Sequence, residues 1–160
     1  MFDNGKVFSF GNNDQGNLGI GVTQSVDTCD TIRDPTECQF ENDKPIKFKD
    51  ISLGEAQTAY LSEDNKVYFC GRKLIYKPKL FEIDYDQHTV EKFCATDKGV
   101  AVLTDKNRLF YLGNFWGTKY INEDISTGIR EVEVEKYFEN KKVREVGGQY
   151  STKYVLVEEK

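Results

Sequence analysis

GKVFSFGNNDQGNLGIG, the stretch from Gly5 to Gly21, decides the fold. Its apolar segment, Val7 to Phe10, leads into a turn of amide and carboxylate side chains, and glycines recur through and beyond that turn. Glycine permits positive φ angles and close backbone packing, which other residues resist. The stretch therefore predicts a β-strand that ends in a tight, closely packed turn.

The same stretch resembles a known repeat. Its pattern, Gly-x-Val-aromatic-x-aromatic-Gly-x-Asn-x-x-Gly-x-Leu-Gly-x-Gly, is similar to the signature of the regulator-of-chromosome-condensation (RCC1) repeat. That resemblance implies a blade of a β-propeller, and it implies a fold rather than a function. The positions that we expect to have a structural role in the repeats are Gly5, Gly11, Gly16, Leu18, Gly19, Gly21, Gly54, Gly71, Gly113 and Gly148.

Internal repetition extends the resemblance along the chain. Segments that end at Gly11, Gly71 and Gly113 share an Asp/Asn turn, a basic residue and a short apolar strand. The second of their spacings, 42 residues, falls in the roughly 40–50-residue unit of propeller repeats, and the first, 60 residues, exceeds it because it includes the inserted loop. We therefore predict an all-β fold, a partial RCC1-like β-propeller of about three four-stranded antiparallel blades. The prediction treats residues 1–160 as one domain with an inserted loop at about 22–43.

A second motif contributes a further strand pair to each repeat, and it begins at Ile51, Phe93 and Val143. The family pattern implies a histidine in this motif, whereas Gln57, Lys98 and Ser151 stand at that position. The repeats are therefore divergent. Apolar runs such as Val100 to Leu103 do not alternate with polar residues, which predicts strands that are covered on both faces. The alternating stretch Arg130 to Lys136 predicts an outer strand with Val132 and Val134 facing inward.

Composition and charge restrict the function classes. With 38% hydrophobic and 31% charged residues, the chain has the composition of a globular domain. The formal net charge is -5, whereas proteins that bind nucleic acids carry a positively charged surface. The acidic balance therefore points to protein partners. No apolar run approaches a membrane span, and no secretion signal is visible, so we expect an intracellular protein. Its compartment (cytoplasm, nucleus, cilium or organelle) stays open.

The four cysteines suggest structural thiols. Cys70 and Cys94 lie in apolar strand patterns, which is typical of buried thiols. Cys29 and Cys38 share a polar segment, and whether they form a disulfide stays open. The spacing of the cysteines and of His88 matches no metal site.

The glycine run does not predict a cofactor site. It lacks the Lys-Ser/Thr pair of a phosphate-binding loop, and Thr23 stands where a calcium loop needs its bidentate glutamate. His88, with Asp84 and Asp86 nearby, is more typical of a solvated loop than of a general base. We therefore expect no catalytic residue, no metal and no cofactor, and we expect a protein that is not an enzyme.

Two segments are candidates for partner binding. The polar segment 22–43 is long for a loop inside a compact domain, which is typical of functional insertions, and Arg33 and Asp34 lie within it. Phe115 and Trp116 follow Gly113 in a turn, where two adjacent aromatics do not easily both face inward. We predict these four residues as partner-binding residues.

Three repeats are too few for a ring, since closed propellers have about four to eight blades. The chain opens part-way through one repeat and supplies at its start the piece missing at its end. We therefore expect another protein chain to complete the blade stack, either a second copy or a different protein in a larger complex. The alternative is a distorted sandwich that covers its own faces.

The predicted function is a non-enzymatic scaffold or interaction subunit of a larger assembly. The resemblance also implies an alternative, a guanine-nucleotide exchange factor or regulator of a Ran-like small GTPase. A remnant of a ligase-associated propeller is a third possibility. The small GTPase is the partner under the second hypothesis, and other protein chains are the partners under the first.

Overall fold

The structure is a computed structural model. It describes residues 5–21, 31–40, 46–96, 99–113, 128–139, 141–149 and 152–159. Within these residues the strands form four antiparallel sheets, of which two have four strands and two have two. We call the four-stranded sheets blade I and blade II, and the two-stranded sheets half-blade N and half-blade C.

The sheets follow one another along the chain. Half-blade N pairs β1 (Phe8–Asn12) with β2 (Thr31–Glu37). Blade I contains, in spatial order, β3 (Phe48–Leu53), β4 (Gln57–Ser62), β5 (Val67–Gly71) and β6 (Ile75–Leu80). Blade II contains β7 (Val90–Ala95), β8 (Gly99–Thr104), β9 (Leu109–Gly113) and β10 (Arg130–Val132). The short helix α1 (Val134–Phe138) precedes half-blade C, which pairs β11 (Val143–Gln149) with β12 (Thr152–Val157).

The divergent repeats share one backbone geometry. A register shift interrupts the pairing of the first two strands at the same place in blade I, blade II and half-blade C. The shifts lie at Phe48/Asp50, Val90/Lys92 and Val143/Glu145. Such a bulge bends the strand and increases its twist. The repeat is therefore preserved in backbone form where its side chains differ.

Three apolar clusters join neighbouring sheets. Half-blade N meets blade I through Val7, Phe48 and Tyr60, and Phe40 stacks on Phe48 with ring centroids 4.8 Å apart. The cluster between blades I and II and the cluster between blade II and half-blade C share strand β8, in which all six residues are buried. This burial on both sides agrees with the non-alternating pattern of the sequence.

The segment between blades I and II is tied to blade I by one side chain. The Tyr85 hydroxyl donates to the Phe81 carbonyl at 2.6 Å and accepts from the Val67 amide at 3.1 Å. Burial raises the pKa of this hydroxyl well above its ordinary value, so it stays protonated and able to donate. The connection between the two blades is thereby fixed to Val67, the first residue of β5.

Two local predictions need correction. The segment 22–43 was predicted as a loop, but Thr31–Glu37 forms β2, the outer strand of half-blade N. Pro35 is tolerated there because β2 is an edge strand, where no second ladder needs its missing amide hydrogen. The predicted outer strand from Arg130 ends at Val132, and the chain turns into α1. Val132 and Val134 are both buried, as the alternation predicted.

The blade count is also more specific than the prediction of about three. Two blades are complete, and the two half-blades together contain the strands of a third. Half-blade N has the third and fourth strands of a blade, and half-blade C has the first and second.

Gly71→Ala is expected to destabilise the fold by about 3 kcal/mol or more. Gly71 has a φ of +124°, and a Cβ there would lie 2.1 Å from the carbonyl oxygen of Ala56, the residue just before the neighbouring strand β4. Gly128→Ala is the matched control, because Gly128 also has a positive φ of +81° but no atom within 4 Å of that position. Urea unfolding monitored by circular dichroism gives both values, and equal losses would contradict the steric argument.

Candidate interaction surfaces

The glycine-rich turn packs between half-blade N and blade I. A Cβ at Gly16 would lie 2.6 Å from the Tyr76 ring, and a Cβ at Gly19 would lie 3.0 Å from both Pro78 and the Tyr60 hydroxyl. Leu18 and Ile20 of the same turn are buried. The turn is therefore part of the joint between two sheets.

The backbone amides of this turn are used inside the protein. The Leu18 amide donates to Asn13 Oδ1 at 3.1 Å, and the Gly21 amide donates to the Tyr76 carbonyl at 3.0 Å. A phosphate-binding loop instead presents such amides to its ligand. The Thr58 hydroxyl adds a bond from blade I to the Asn17 carbonyl at 2.7 Å. The geometry of the turn thus serves packing.

A tyrosine hydroxyl lies between two thiols in the same joint. Tyr60 Oη is 3.5 Å from Cys70 Sγ and 3.9 Å from Cys38 Sγ, and all three side chains are buried. Burial raises the pKa of the Cys70 thiol to about 12, and it also raises the pKa values of Cys38 and Tyr60. Cys38 is a free thiol, and Cys29 lies outside the described residues. Because only thiolates are effective nucleophiles, this cluster is structural.

His88 also has a packing role. Its ring meets Phe110 edge to face at a centroid distance of 5.4 Å, and its Nδ1 is 3.5 Å from the Thr104 hydroxyl. Asp84 accepts the amide hydrogen of Asp86 at 3.2 Å, which closes the local turn. The three residues do not assemble into an acid–base pair in this structure.

A charged surface cleft of about 480 Å³ lies beside the β8–β9 hairpin and α1. Its lining charges are largely paired with one another, since Arg108 contacts Glu131, and Lys136 contacts Glu133 at 3.1 Å. Asn107 at its edge accepts from the Val143 amide at 2.8 Å and joins blade II to half-blade C. The cleft is therefore an exposed surface feature whose charged side chains largely pair with one another.

Among the described residues, no group of three or more histidine, cysteine or acidic side chains is arranged to hold a metal ion. Within the same part of the chain, no helix is long and apolar enough to cross a membrane.

Large apolar side chains are exposed on both half-blades. Phe10 on β1 is 65% exposed, and Tyr154 and Leu156 on β12 are 55% and 58% exposed. The Tyr154 ring lies over Gly147 of the neighbouring strand, where a Cβ would be only 2.4 Å from the ring. Exposed apolar patches are typical of interaction sites, and the pair Tyr154 and Leu156 lies two residues apart on one strand. Nothing in the sequence distinguishes these three residues, because their strands resemble the buried strands of the other repeats.

The residues that the sequence predicted for partner binding are only partly described. Arg33 and Asp34 are exposed on β2, the outer strand of half-blade N. Phe115 and Trp116 lie outside the described residues. The position of the second pair is therefore not described, and the role of all four residues stays a prediction.

The structural motif glycines lie mostly at turns and joints. Gly5, Gly11, Gly71 and Gly113 have positive φ angles, whereas Gly148 lies inside β11. A Cβ at Gly54 would be 2.2 Å from the Thr96 carbonyl oxygen of blade II, so this glycine allows blades I and II to approach.

Comparison with known proteins finds one family model that matches part of the chain. Residues 4–61 match the family model of the regulator of chromosome condensation (RCC1) repeat. A Dictyostelium discoideum protein, a bifunctional serine/threonine-protein kinase/NEDD4-like E3 ubiquitin-protein ligase, is 37% identical over 73 residues. Those residues are 45% of this chain and 4% of that protein. The likeness therefore concerns a repeat segment and not the two activities in that protein's name.

Two solved structures share the fold. Human WBSCR16 matches with a TM-score of 0.70 and 16% identity, over 98% of this chain and 41% of its own. Prp20p of Saccharomyces cerevisiae, whose structure was described together with its binding to Gsp1p and histones, matches with a TM-score of 0.65 and 18% identity. That match covers 90% of this chain and 37% of Prp20p. The predicted fold class is confirmed: the chain is a partial β-propeller of the RCC1 type, and it spans about two fifths of the length of these proteins.

The buried thiols are expected to resist labelling in the folded protein. Burial raises the pKa of Cys94 to about 11 and that of Cys70 to about 12, so both stay protonated near about pH 8. In a Cys29→Ser background, which removes the cysteine that is not described, Ellman's reagent should react with the remaining three cysteines only after urea is added. Rapid reaction of any of them without urea would contradict their structural role.

Proposed function

We propose that this chain, whose residues 4–61 are an RCC1 repeat within a partial propeller, is a non-enzymatic scaffold or interaction subunit of a larger protein assembly. The observation that carries this proposal is the exposure of Phe10, Tyr154 and Leu156 on the two half-blades. Side chains of this kind anchor protein interfaces when a partner removes them from water.

The chemistry of the described residues supports the same proposal. The pKa values of the Cys70 thiol and of the Tyr60 and Tyr85 hydroxyls are all raised by burial, so these groups stay neutral, and they make structural hydrogen bonds. Perturbed groups at an active site are usually exposed to a cleft, where they reach a substrate. Here they lie within or beside the packed sheets.

An exchange factor or regulator of a Ran-like small GTPase is the second candidate function. It is favoured by the likeness to Prp20p, which binds Gsp1p. That likeness is one of fold, at 18% identity, and this chain covers 37% of Prp20p. An exchange activity needs a surface that reaches the nucleotide site of the GTPase, and the greater part of the neighbouring protein has no counterpart in this chain.

The interaction role predicts protein contacts at the exposed apolar side chains. A photo-crosslinking amino acid placed at Phe10 or at Tyr154 should give covalent adducts with polypeptides in the cells that make this protein. The same amino acid at Asp86, in an exposed polar turn, is the control and should give few adducts. Equal labelling at all three positions, or no adducts at the first two, would contradict the proposed function.

The two candidate functions differ in a nucleotide-release assay. Release of a fluorescent guanine nucleotide from a Ran-like GTPase should proceed at the same rate with and without this protein. A protein with known exchange activity toward the same GTPase is the positive control for the assay. Accelerated release that depends on the concentration of this chain would favour the exchange factor over the scaffold.

A further inference from the structure

We propose that the outer strand of blade I, β6, binds an extended acidic segment of a partner protein through a row of lysine side chains. The inference rests on the proposed interaction function and gives the chemistry of a partner at a surface other than the half-blades. We call this surface the lysine strip, and it consists of Lys73, Leu74, Lys77 and Lys79. All four strands of blade I belong to the described residues, so the strip does not involve the two ends of the stack.

The strip lies in a strongly basic stretch of an acidic chain. The 17 residues from Asn65 to Phe81 include five lysines or arginines and no acidic residue, whereas the whole chain has a formal net charge of -5. Asp64 precedes this stretch, and Glu82 and Asp84 follow it. The positive charge is therefore confined to a narrow band, which suits a linear anionic partner.

The lysines of the strip are not neutralised by carboxylates of the described residues. Within that part of the chain Lys73, Lys77 and Lys79 form no ion pair, whereas Lys66 of the same blade contacts Asp64 at 3.0 Å. Lys73 and Lys79 are exposed, and Lys77 is half-buried. Carboxylates of another molecule can therefore pair with them.

Strand β6 has a bulge in the middle of the strip. Its residues 76–78 lie opposite a single residue of β5, Cys70. The outer strand of half-blade N, β2, has the same bulge, in which residues 33–35 lie opposite Phe10 alone. Both bulges end with a proline. The two outer strands therefore correspond residue by residue.

This correspondence shows that the fold does not require lysines in the strip. Lys77 corresponds to Asp34, and Lys79 corresponds to Thr36. The same backbone thus forms with an acidic residue and with a neutral residue at these two positions. Because packing does not account for the lysines, we assign them to recognition.

The backbone of β6 is not available for the addition of a further strand at its centre. The Tyr76 carbonyl accepts the Gly21 amide hydrogen at 3.0 Å, and Pro78 has no amide hydrogen. A partner is therefore recognised by the side chains of the strip. For these side chains the means of recognition is charge complementarity.

The glycine-rich turn positions one of the lysines. A Cβ at Gly21 would be 2.8 Å from Lys77 Cε, so the aliphatic part of this side chain lies over Gly21. An ordered aliphatic part presents the ammonium group to a partner and reduces the entropy that binding costs. The six residues of β6 extend about 20 Å, which matches an extended peptide of similar length.

An exposed apolar side chain adjoins the lysines. Leu74 lies in the β5–β6 turn and is 56% exposed. Apolar side chains that lose contact with water on binding contribute anchoring energy within a polar interface. The partner segment is therefore expected to contain an apolar residue beside its acidic residues.

The surroundings of Tyr76 favour a peptide over a nucleic acid. Single-stranded nucleic acids stack their bases on exposed aromatic rings. The Tyr76 ring instead lies against Gly16, where a Cβ would be 2.6 Å from it, and its hydroxyl donates to the Lys73 carbonyl at 2.9 Å. A nucleic-acid duplex or a membrane presents a broad anionic surface, which the acidic residues that flank the strip would repel.

Fluorescence anisotropy tests the strip with a defined probe. A fluorescein-labelled peptide of about eight residues, with glutamates around a central leucine, matches the length of β6. Titration of this peptide with the full chain at low salt should show saturable binding that weakens as salt is added, because exposed charge pairs are screened. The same peptide with glutamine in place of every glutamate is the control ligand and should not bind.

Charge reversal locates the binding surface. The double variant Lys77→Glu and Lys79→Glu should raise the dissociation constant of the peptide by about tenfold or more, because two attractions become repulsions. The matched control is Lys106→Glu with Lys142→Glu, which has the same net charge but changes exposed lysines of blade II and half-blade C. It should raise the dissociation constant by less than about threefold.

Two further variants separate recognition from folding and from charge. Lys77→Gln with Lys79→Gln keeps the aliphatic parts of both side chains and should raise the dissociation constant by about threefold or more, with an unchanged urea midpoint. Leu74→Ser should weaken binding of the leucine peptide but not of a peptide with alanine in its place. Equal effects on both peptides would contradict the apolar contact.

The outcomes separate this inference from the proposed function. Absence of peptide binding at low salt, or an equal loss in the Lys106 and Lys142 control, overturns the strip. Tighter binding of single-stranded oligothymidylate or of phosphatidylserine vesicles at the same lysines overturns the peptide as its ligand. A chain that does not bind the peptide, but whose positions 10 and 154 still crosslink to polypeptides in cells, overturns the strip and leaves the scaffold function supported.

Discussion

The structure depends on one constraint, which is that every β-sheet must be covered on both faces. Strand β8 is buried along its whole length because blade I lies on one side of blade II and half-blade C lies on the other. A sheet of this kind contributes stability only as part of a stack, since its apolar area is hidden by its neighbours and not by its own strands. The half-blades, which lie at the two ends of the described stack, carry the exposed side chains of Phe10, Tyr154 and Leu156.

The glycine-rich turn between Gly11 and Gly21 allows half-blade N and blade I to cover each other. It lets two sheets approach by placing backbone where side chains would collide, as at Gly16 beside Tyr76. The buried Tyr60 hydroxyl and its neighbouring thiols then fill the joint. Burial holds these groups in their neutral forms, and a neutral group is far less costly to enclose between sheets than an ion. The RCC1 signature therefore describes how blades meet more than what they bind.

The sequence predicted the elements that depend on local pattern and repetition. The turn between Gly11 and Gly21, the unalternating strands and the all-β class all follow from residue types and spacing. It did not predict β2, because Thr31–Glu37 is polar and contains Pro35, and only its pairing with β1 makes it a strand. Helix α1 was missed for a similar reason, since its single buried residue is Val134. The exposure of Phe10, Tyr154 and Leu156 was not predictable from their strands, because it depends on which sheets lie beside them.

The anchoring of Tyr85 has a mechanical consequence. Its hydroxyl connects the segment between blades I and II to the backbone of β5, and a shared apolar cluster joins the same two blades. Blades I and II therefore behave as one stiff body at the centre of the chain. We therefore expect thermal fraying to begin in the outer two-stranded sheets, and we expect the centre to be the last region to lose its protection against hydrogen exchange.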